Sequence, residues 1–330
     1  MPIAPVNVGT PPVLDSRLHD VRMLVRQGKI RAAHDALSHL DGSASAITFD
    51  RLDHTELVAL TIECLLARGD IAIAVAWGEQ VSELVMGPGA ATALYARGEL
   101  ASALNDHEAA LELYLTAGVA EDETPAPDSA PLPWRSGAAL ALVRCGRRRE
   151  AGALAQAEYD LAVASHSSHD IAHALRTLAT TAADGRAIGR LEEARGLLGT
   201  DGSRRLAAQI DTDLAGLMVL SGNVPRATAL LRDAELYATR EDLWPLQSRV
   251  RRLLERIGET PLRLEADALS VLTIAERRVA VLALDGLSNR QIAEQLIVSV
   301  KAVEGHLSKV YRKLGVSSRG ALAATIGRHG

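Results

Sequence analysis

Residues 299–316 read SVKAVEGHLSKVYRKLGV, and their spacing decides how the C-terminal part of the chain folds. Four apolar residues recur at intervals of four, three and four, namely Val303, Leu307, Val310 and Leu314. Residues at this spacing share one face of an α-helix. The stretch therefore predicts an amphipathic helix that begins after a capping serine at 299 and ends at a glycine at 315.

The opposite face of this predicted helix is basic and has small residues at its centre. It carries Lys301, Gly305, Ser308 and Arg312, flanked by Glu304 and Lys309. A glycine inside a helix costs about 1 kcal/mol relative to alanine, a cost that close approach to a DNA groove would justify. Two alternatives stay open: Gly305 as a weak solvent-facing position, and Glu304 as a solvated carboxylate.

Shorter helices are predicted on both sides. Thr273 with Glu276, and Ser288 with Gln291, have the spacing of capping boxes that open two helices. Gly286 separates these helices, 297–298 is a tight connection, and Ser317 or Ser318 caps a fourth helix. A short helix, a tight turn and a longer basic helix form the helix-turn-helix arrangement.

The charge of the chain is divided unevenly between its two parts. Residues 271–330 contain nine Lys or Arg and four Asp or Glu, a net charge of +5, whereas the first 270 residues carry −10. Three of the four lysines lie at 301, 309 and 313. Such an asymmetry indicates a nucleic-acid-binding module attached to a second kind of domain.

Residues 272–324 resemble the LuxR-type DNA-binding domain over its whole length. The matching elements are Leu272-Thr273 with Glu276, residues 286–289 (GLSN), Ile292-Ala293, Val298-Ser299, Val303, His306 and residues 313–316 (KLGV). The segment 303–316 is similar to the variant found in large actinobacterial ATP-binding LuxR-type regulators. This chain shows no phosphate-cradling glycine-rich loop, so the ATPase module of those regulators is predicted to be absent.

The resemblance implies roles for individual residues. The third helix of the domain would enter the major groove, with Glu304, Gly305 and Ser308 facing the bases. Phosphate contact or local support would come from Asn289, Arg290, Ser299, Lys301, His306, Lys309, Arg312 and Lys313. The fourth helix would supply dimer contacts, with Ala321, Leu322 and Thr325 as candidates.

Two positions depart from the family pattern. Residue 302 is Ala where the family usually has Thr, and residue 304 is Glu where many members have Lys. Glutamate does not bind phosphate but accepts a hydrogen bond from the amino group of cytosine. The base preference of a relative therefore does not transfer to this chain.

Residues 14–257 predict a series of antiparallel helical hairpins. A turn residue is followed five positions later by alanine at Gly28/Ala33, Gly69/Ala74, Asn105/Ala110, Gly146/Ala151, Gly189/Ala194 and Gly222/Ala227. Glycine and asparagine adopt the left-handed conformation of such turns, and alanine lets two helices approach closely. The array resembles degenerate tetratricopeptide repeats. An irregular all-α domain is the alternative.

These patterns predict an all-α chain with a defined order of domains. We expect a disordered N-terminus at 1–13, the helical-repeat domain at 14–257, a linker at 258–268 and the DNA-binding domain at 269–330. The segment 119–133, VAEDETPAPDSAPLP, has four prolines and four acidic residues and is expected to form an acidic surface loop within the repeats.

Several kinds of function are disfavoured by the sequence. The N-terminus lacks the pattern of a signal peptide, and no apolar run reaches about 18 residues, so a soluble cytoplasmic protein is expected. Two cysteines indicate neither a disulfide framework nor a zinc site. His166, His169 and His173 could share a helix face, but solvated surface is the favoured interpretation over a metal site. No cofactor and no enzymatic activity are expected.

The sequence thus predicts a bacterial transcriptional regulator. It would bind double-stranded promoter DNA as a homodimer, with RNA polymerase as a further contact. The repeat domain would bind a protein, peptide or small-molecule effector, or mediate oligomerisation. An adaptor whose helix-turn-helix domain contacts proteins is the main alternative, and an enzyme that uses the histidine cluster is a remote one.

Overall fold

The computed structural model describes residues 12–42, 50–123, 131–199, 202–260, 272–284, 286–296 and 298–326. These residues form helices and turns and contain no strand. The chain divides into two compact units, residues 1–257 and 258–330, called here the N-terminal and C-terminal units. None of the described helices combines the length and the apolar character that crossing a bilayer requires.

Thirteen described helices build the N-terminal unit. In chain order they are α1 (Pro12–Gln27), α2 (Ile30–Gly42), α3 (Arg51–Arg68), α4 (Ile71–Val81), α5 (Ala90–Ala103), α6 (His107–Glu123), α7 (Trp134–Arg144), α8 (Arg148–Ser165), α9 (Ser168–Thr181), α10 (Ala187–Leu198), α11 (Arg204–Leu220), α12 (Val224–Arg240) and α13 (Trp244–Arg256). Each helix packs against the next, and odd-numbered helices also pack against one another. The predicted array of antiparallel hairpins is confirmed.

The predicted turn chemistry is confirmed at five of the six hairpins. Gly28, Gly69, Asn105, Gly146 and Gly222 have positive φ angles of 65–81°. All six alanines five positions after the predicted turns are completely buried. At the five confirmed turns, a small side chain one turn into the second helix lets the two helices of the hairpin pack closely.

The turn predicted at Gly189 is wrong. Gly189 lies inside α10, and the left-handed residue of that hairpin is Gly185, with a φ angle of 73°. The carboxylate of Asp184 fixes this turn, because it accepts hydrogen bonds from the backbone N–H of Arg186 at 3.1 Å and from the side chain of Arg190 at 2.7 Å. Gly185, which lies outside the helix, takes the left-handed conformation of the turn, whereas Gly189 is part of the helix.

The predicted acidic loop starts later than its sequence indicates. Residues 119–123 continue α6, which ends at Glu123, and residues 131–133 lead into α7. The acidic residues at 121–123 are therefore the last turn of a helix. The remaining part of this loop, residues 124–130, lies outside the described residues, as do residues 1–11 and most of the linker. Of the N-terminus predicted to be disordered, residues 1–13, the last two belong instead to α1, which begins at Pro12.

The two ends of the N-terminal unit meet. The largest apolar core of this unit joins side chains of α1–α3 to side chains of α9–α13. Polar contacts follow the same boundary, which we call the closure seam. Arg26 pairs with Asp170 at 3.0 Å, Glu63 with Arg205 at 2.6 Å, and Arg31 with Asp242 at 2.8 Å. The array is therefore closed into a ring within this unit, which the repeat pattern did not predict.

Gly28 lies at the tightest point of the closure seam. Its carbonyl oxygen accepts a hydrogen bond of 2.5 Å from the hydroxyl of Tyr237. A Cβ atom at this position would lie 2.6 Å from the backbone nitrogen of Arg205 and 2.7 Å from the Tyr237 hydroxyl oxygen. Glycine is thus required at residue 28 by its neighbours across the seam as well as by its own φ angle of 80°.

The histidines considered as metal ligands do not form a metal site among the described residues. His166 ends α8 in a left-handed conformation, whereas His169 and His173 lie on α9. Burial, with Arg176 and His169 nearby, lowers the pKa of His173 to about 4. Ser167 caps α9 by accepting a hydrogen bond from the backbone N–H of Asp170.

Candidate nucleic-acid interface

Four described helices form the C-terminal unit. They are α14 (Ile274–Leu284), α15 (Asn289–Leu296), α16 (Val300–Leu314) and α17 (Arg319–Ile326). Their apolar residues form one core, with α16 packed against both α14 and α15 and with α17 packed against α14. The predicted four-helix arrangement is confirmed.

The predicted helix caps are present in this unit. The backbone N–H of Thr273 donates to the Glu276 carboxylate at 2.8 Å, and that of Ser288 donates to the Gln291 side chain at 2.9 Å. Ser299 accepts a hydrogen bond of 3.1 Å from the backbone N–H of Ala302 and so begins α16. Each cap satisfies an N–H group that the first turn of a helix leaves unpaired.

Helix α16 has one buried face and one exposed face. Val303, Leu307 and Val310 are at most 5% exposed, and Leu314 is half-buried. The opposite face is exposed at all six predicted positions, which are Lys301, Glu304, Gly305, Ser308, Lys309 and Arg312. No neighbouring atom lies within 4 Å of the position that a Cβ atom would take at Gly305. This face thus offers a positively charged and sterically open surface.

The other residues predicted to contact phosphate lie beside this face. Arg290 and Ser299 are exposed, and Asn289, the first residue of α15, is half-buried. His306 is half-buried, and its Nδ1 atom has no hydrogen-bond partner within the described part of the chain. These residues therefore differ in access, with Arg290 and Ser299 the most accessible.

Lys313 has a structural partner inside the C-terminal unit. Its ammonium group lies 2.5 Å from the carboxylate of Glu276, which is 4% exposed. Burial would raise the pKa of Glu276, but the hydrogen bonds from Lys313 and Thr273 outweigh it and hold the pKa below the ordinary value of 4.5. Of the two roles predicted for Lys313, this contact favours local support, since it ties the end of α16 to the start of α14.

Arg319 is a structural residue that the sequence reasoning missed. Its guanidinium group donates to the carbonyl oxygen of Ala283 at 2.9 Å and to that of Leu287. These carbonyl groups lie at and just beyond the end of α14, where a helix leaves its acceptors unpaired. The sequence gives little sign of this contact, because the partners lie 32 and 36 residues apart along the chain.

One of the predicted dimer contacts needs correction. Leu322 is completely buried in the core of its own unit, so its side chain is not available to a partner. It is inward because Ser318 caps α17, with the backbone N–H of Ala321 donating to its hydroxyl at 3.1 Å, and the first turn packs against α14. Ala321 is half-buried, and the side chain of Thr325 lies outside the described residues.

Comparison with known proteins agrees with this geometry. Residues 270–326 match the family of bacterial regulatory proteins called the luxR family. Proteins named as HTH-type transcriptional regulators of Mycobacterium bovis and Mycobacterium tuberculosis are 48% identical over 59 residues, which is 18% of this chain and 7% of each relative. The match thus spans only a small part of the relatives' length, and it confirms the resemblance predicted for the C-terminal unit.

Solved structures give a looser comparison over the whole chain. The apo form of the quorum sensor NprR from B. thuringiensis is 12% identical with a TM-score of 0.45, and the match covers 96% of both chains. The Rap protein complexed with competence and sporulation factor is also 12% identical, with a TM-score of 0.44 over 97% of this chain and 100% of that chain. These scores are too low to transfer any property.

Proposed function

We propose that this chain, which carries a luxR-family helix-turn-helix domain at residues 270–326, is a sequence-specific transcriptional regulator that binds double-stranded DNA. The observation that supports this most is the division of α16 into two faces. Its apolar face is buried in the core, while its basic face is exposed over the whole length of the helix. A helix of this kind fits the major groove of B-DNA.

In this proposal the residues of α16 have two tasks. Glu304, Gly305 and Ser308 read base edges, and the open space at Gly305 allows the helix backbone to approach the bases. Lys301, Lys309 and Arg312 contact phosphates, which fixes the position of the helix without reading sequence. Lys313 and Arg319 hold the domain together through the contacts described above.

Removing the phosphate contacts tests this arrangement. We expect Lys309→Ala and Arg312→Ala each to weaken binding to all DNA sequences alike and to lower the slope of log K against log salt by about 1. The measurement is a fluorescence-anisotropy titration with promoter DNA at several salt concentrations. Arg148→Ala, at an exposed position on α8, removes the same charge from the N-terminal unit and should leave the slope unchanged. An unaltered slope in both α16 variants would contradict the proposal.

The role of Glu304 is tested separately by the selected DNA motif. Glu304→Ala is expected to relax the base preference at about one position of the site, at a cost of roughly 1–3 kcal/mol for the preferred base. Selection from a random DNA library with the wild type and the variant measures this. Identical motifs would show that Glu304 is a solvated carboxylate.

The N-terminal unit is proposed to regulate the DNA-binding unit, either by binding an effector or by oligomerisation. Its odd-numbered helices pack side by side, and charged side chains of α1 and α3 meet those of α9 and α11 at the closure seam, as in the pairs Arg26–Asp170 and Glu63–Arg205. The groove at the end of the array supports a more specific proposal.

A further inference from the structure

A groove runs between α11 and α13 at the end of the N-terminal unit. Its apolar lining comes from Leu217, Leu220 and Leu253, and its volume is about 480 Å³. Leu220 is 75% exposed and lies in this lining beside the half-buried Leu217 and Leu253. The groove therefore exposes apolar surface that a partner of matching shape would bury.

The groove also carries more positive than negative charge. Arg249, Arg252 and Arg256 line it from α13, against the single carboxylate of Asp213. Asp213 is engaged already, because Arg176 lies at 2.6 Å and Arg249 at 2.5 Å from its two oxygens. Arg252 and Arg256 have no ion pair with a described residue. An apolar lining flanked by the guanidinium groups of Arg252 and Arg256 is complementary to a helix that presents leucine or valine between carboxylates.

Helix α6 presents such a face on the same unit. The residues Glu108, Glu112, Leu115, Val119 and Asp122 follow one another at intervals of four, three, four and three, so they lie on one face of the helix. All five are exposed, with Leu115 at 42% and Val119 at 58%. Apolar residues in the middle of an acidic stripe are the charge-reversed counterpart of the groove.

We propose that α6 of a second copy of this chain docks in the groove between α11 and α13. Because the two surfaces differ, a closed dimer requires a two-fold axis that pairs each groove with the α6 of the other copy, and the contact then forms twice. The result is a closed dimer in which Arg252 and Arg256 face Glu112 and Asp122, and in which Leu115 and Val119 cover Leu220. This deepens the oligomerisation role proposed above, and it does not depend on how α16 contacts DNA.

The experiment is sedimentation velocity on the full chain without DNA, over a range of protein concentrations. We expect the wild type to be a dimer whose dissociation constant rises with salt. The groove variant Arg252→Glu/Arg256→Glu and the helix variant Glu112→Lys/Asp122→Lys should each dissociate on the order of 100-fold more readily, because like charges then face each other in both contacts. An equimolar mixture of the two variants should form a heterodimer of near wild-type affinity.

The mixture is decisive, because both contacts of the heterodimer again join opposite charges. The control matched to the groove variant is Arg148→Glu/Arg149→Glu, which makes the same change of net charge on the exposed start of α8. It should dimerise like the wild type. Val119→Ser removes the apolar contact without altering charge, and we expect it to weaken the dimer even if a charge variant fails to fold.

Four results would overturn the proposal. They are a wild type that is monomeric at all concentrations, charge variants that dimerise normally, a mixture that does not associate, and a groove variant that loses DNA affinity but keeps its dimer. The last result would assign the arginines to nucleic acid. The DNA titrations of the α16 variants are read separately, so failure of this proposal leaves the DNA-binding proposal standing.

Discussion

Gly28→Ala is expected to lower the free energy of unfolding of the N-terminal unit by about 3 kcal/mol. Alanine at a φ angle of 80° is strained by about 1 kcal/mol. Its methyl group would also press against the backbone nitrogen of Arg205 and the hydroxyl of Tyr237, at 2.6 and 2.7 Å. Since a backbone atom moves only with its helix, the collision would shift α11 or break the Tyr237–Gly28 hydrogen bond.

Gly146→Ala is the matched control. Gly146 has nearly the same φ angle, 79°, but no neighbouring atom lies within 4 Å of its Cβ position, so we expect a loss of only about 1 kcal/mol. Urea unfolding followed by tryptophan fluorescence measures both, because all three tryptophans, at 77, 134 and 244, lie in the N-terminal unit. Equal losses in the two variants would show that the closure seam is not tightly packed at Gly28.

Glu276→Ala is expected to destabilise the C-terminal unit by about 2–3 kcal/mol. The change removes the carboxylate that caps the backbone N–H of Thr273 and leaves Lys313 without its ion-pair partner. The side chain of Lys313 is one-third exposed, so water recovers part of the loss and the effect stays at the lower end for such pairs. Hydrogen exchange of α14 and α16 amides in the full chain reports the change.

The pH dependence of this effect follows from the lowered pKa of Glu276. The folded state binds the proton more weakly than the unfolded state, so the stabilisation is complete well above pH 4.5 and is lost as the pH falls through the folded pKa. The wild type and the variant should therefore converge at low pH. Glu304→Ala, at an exposed carboxylate of α16, should stay within about 0.5 kcal/mol of the wild type. A constant difference between pH 7 and pH 3 would argue against the ion pair.

Local patterns predicted most of the secondary structure and the exposed face of α16. The four-three-four spacing placed Val303, Leu307 and Val310 inside, and it thereby placed Lys309 and Arg312 outside. Capping residues marked the starts of α14, α15 and α16, because a cap and its N–H partner lie within three residues of each other. The buried alanines of the hairpins follow from the same local geometry.

Contacts between residues distant in sequence were not predictable in this way. Lys313 is a basic residue near the predicted DNA-binding face, so its sequence position suggests a phosphate contact. Its observed partner is Glu276, which lies 37 residues earlier in the chain. Leu322 has the position of a dimer contact, but its burial depends on the packing of α17 against α14. The closure seam joins residues up to 211 positions apart. A repeat pattern describes neighbouring hairpins only, so it does not specify which distant hairpins come into contact.

The closure seam changes how the helical array is expected to unfold. In an open array each hairpin depends only on its neighbours, so the terminal hairpins fray and unfolding spreads inward from an end. When α1–α3 share one core with α9–α13, the N-terminal unit has no free end from which to fray. We therefore expect the first and last hairpins to unfold together, because loss of the first removes side chains from the core that holds the last.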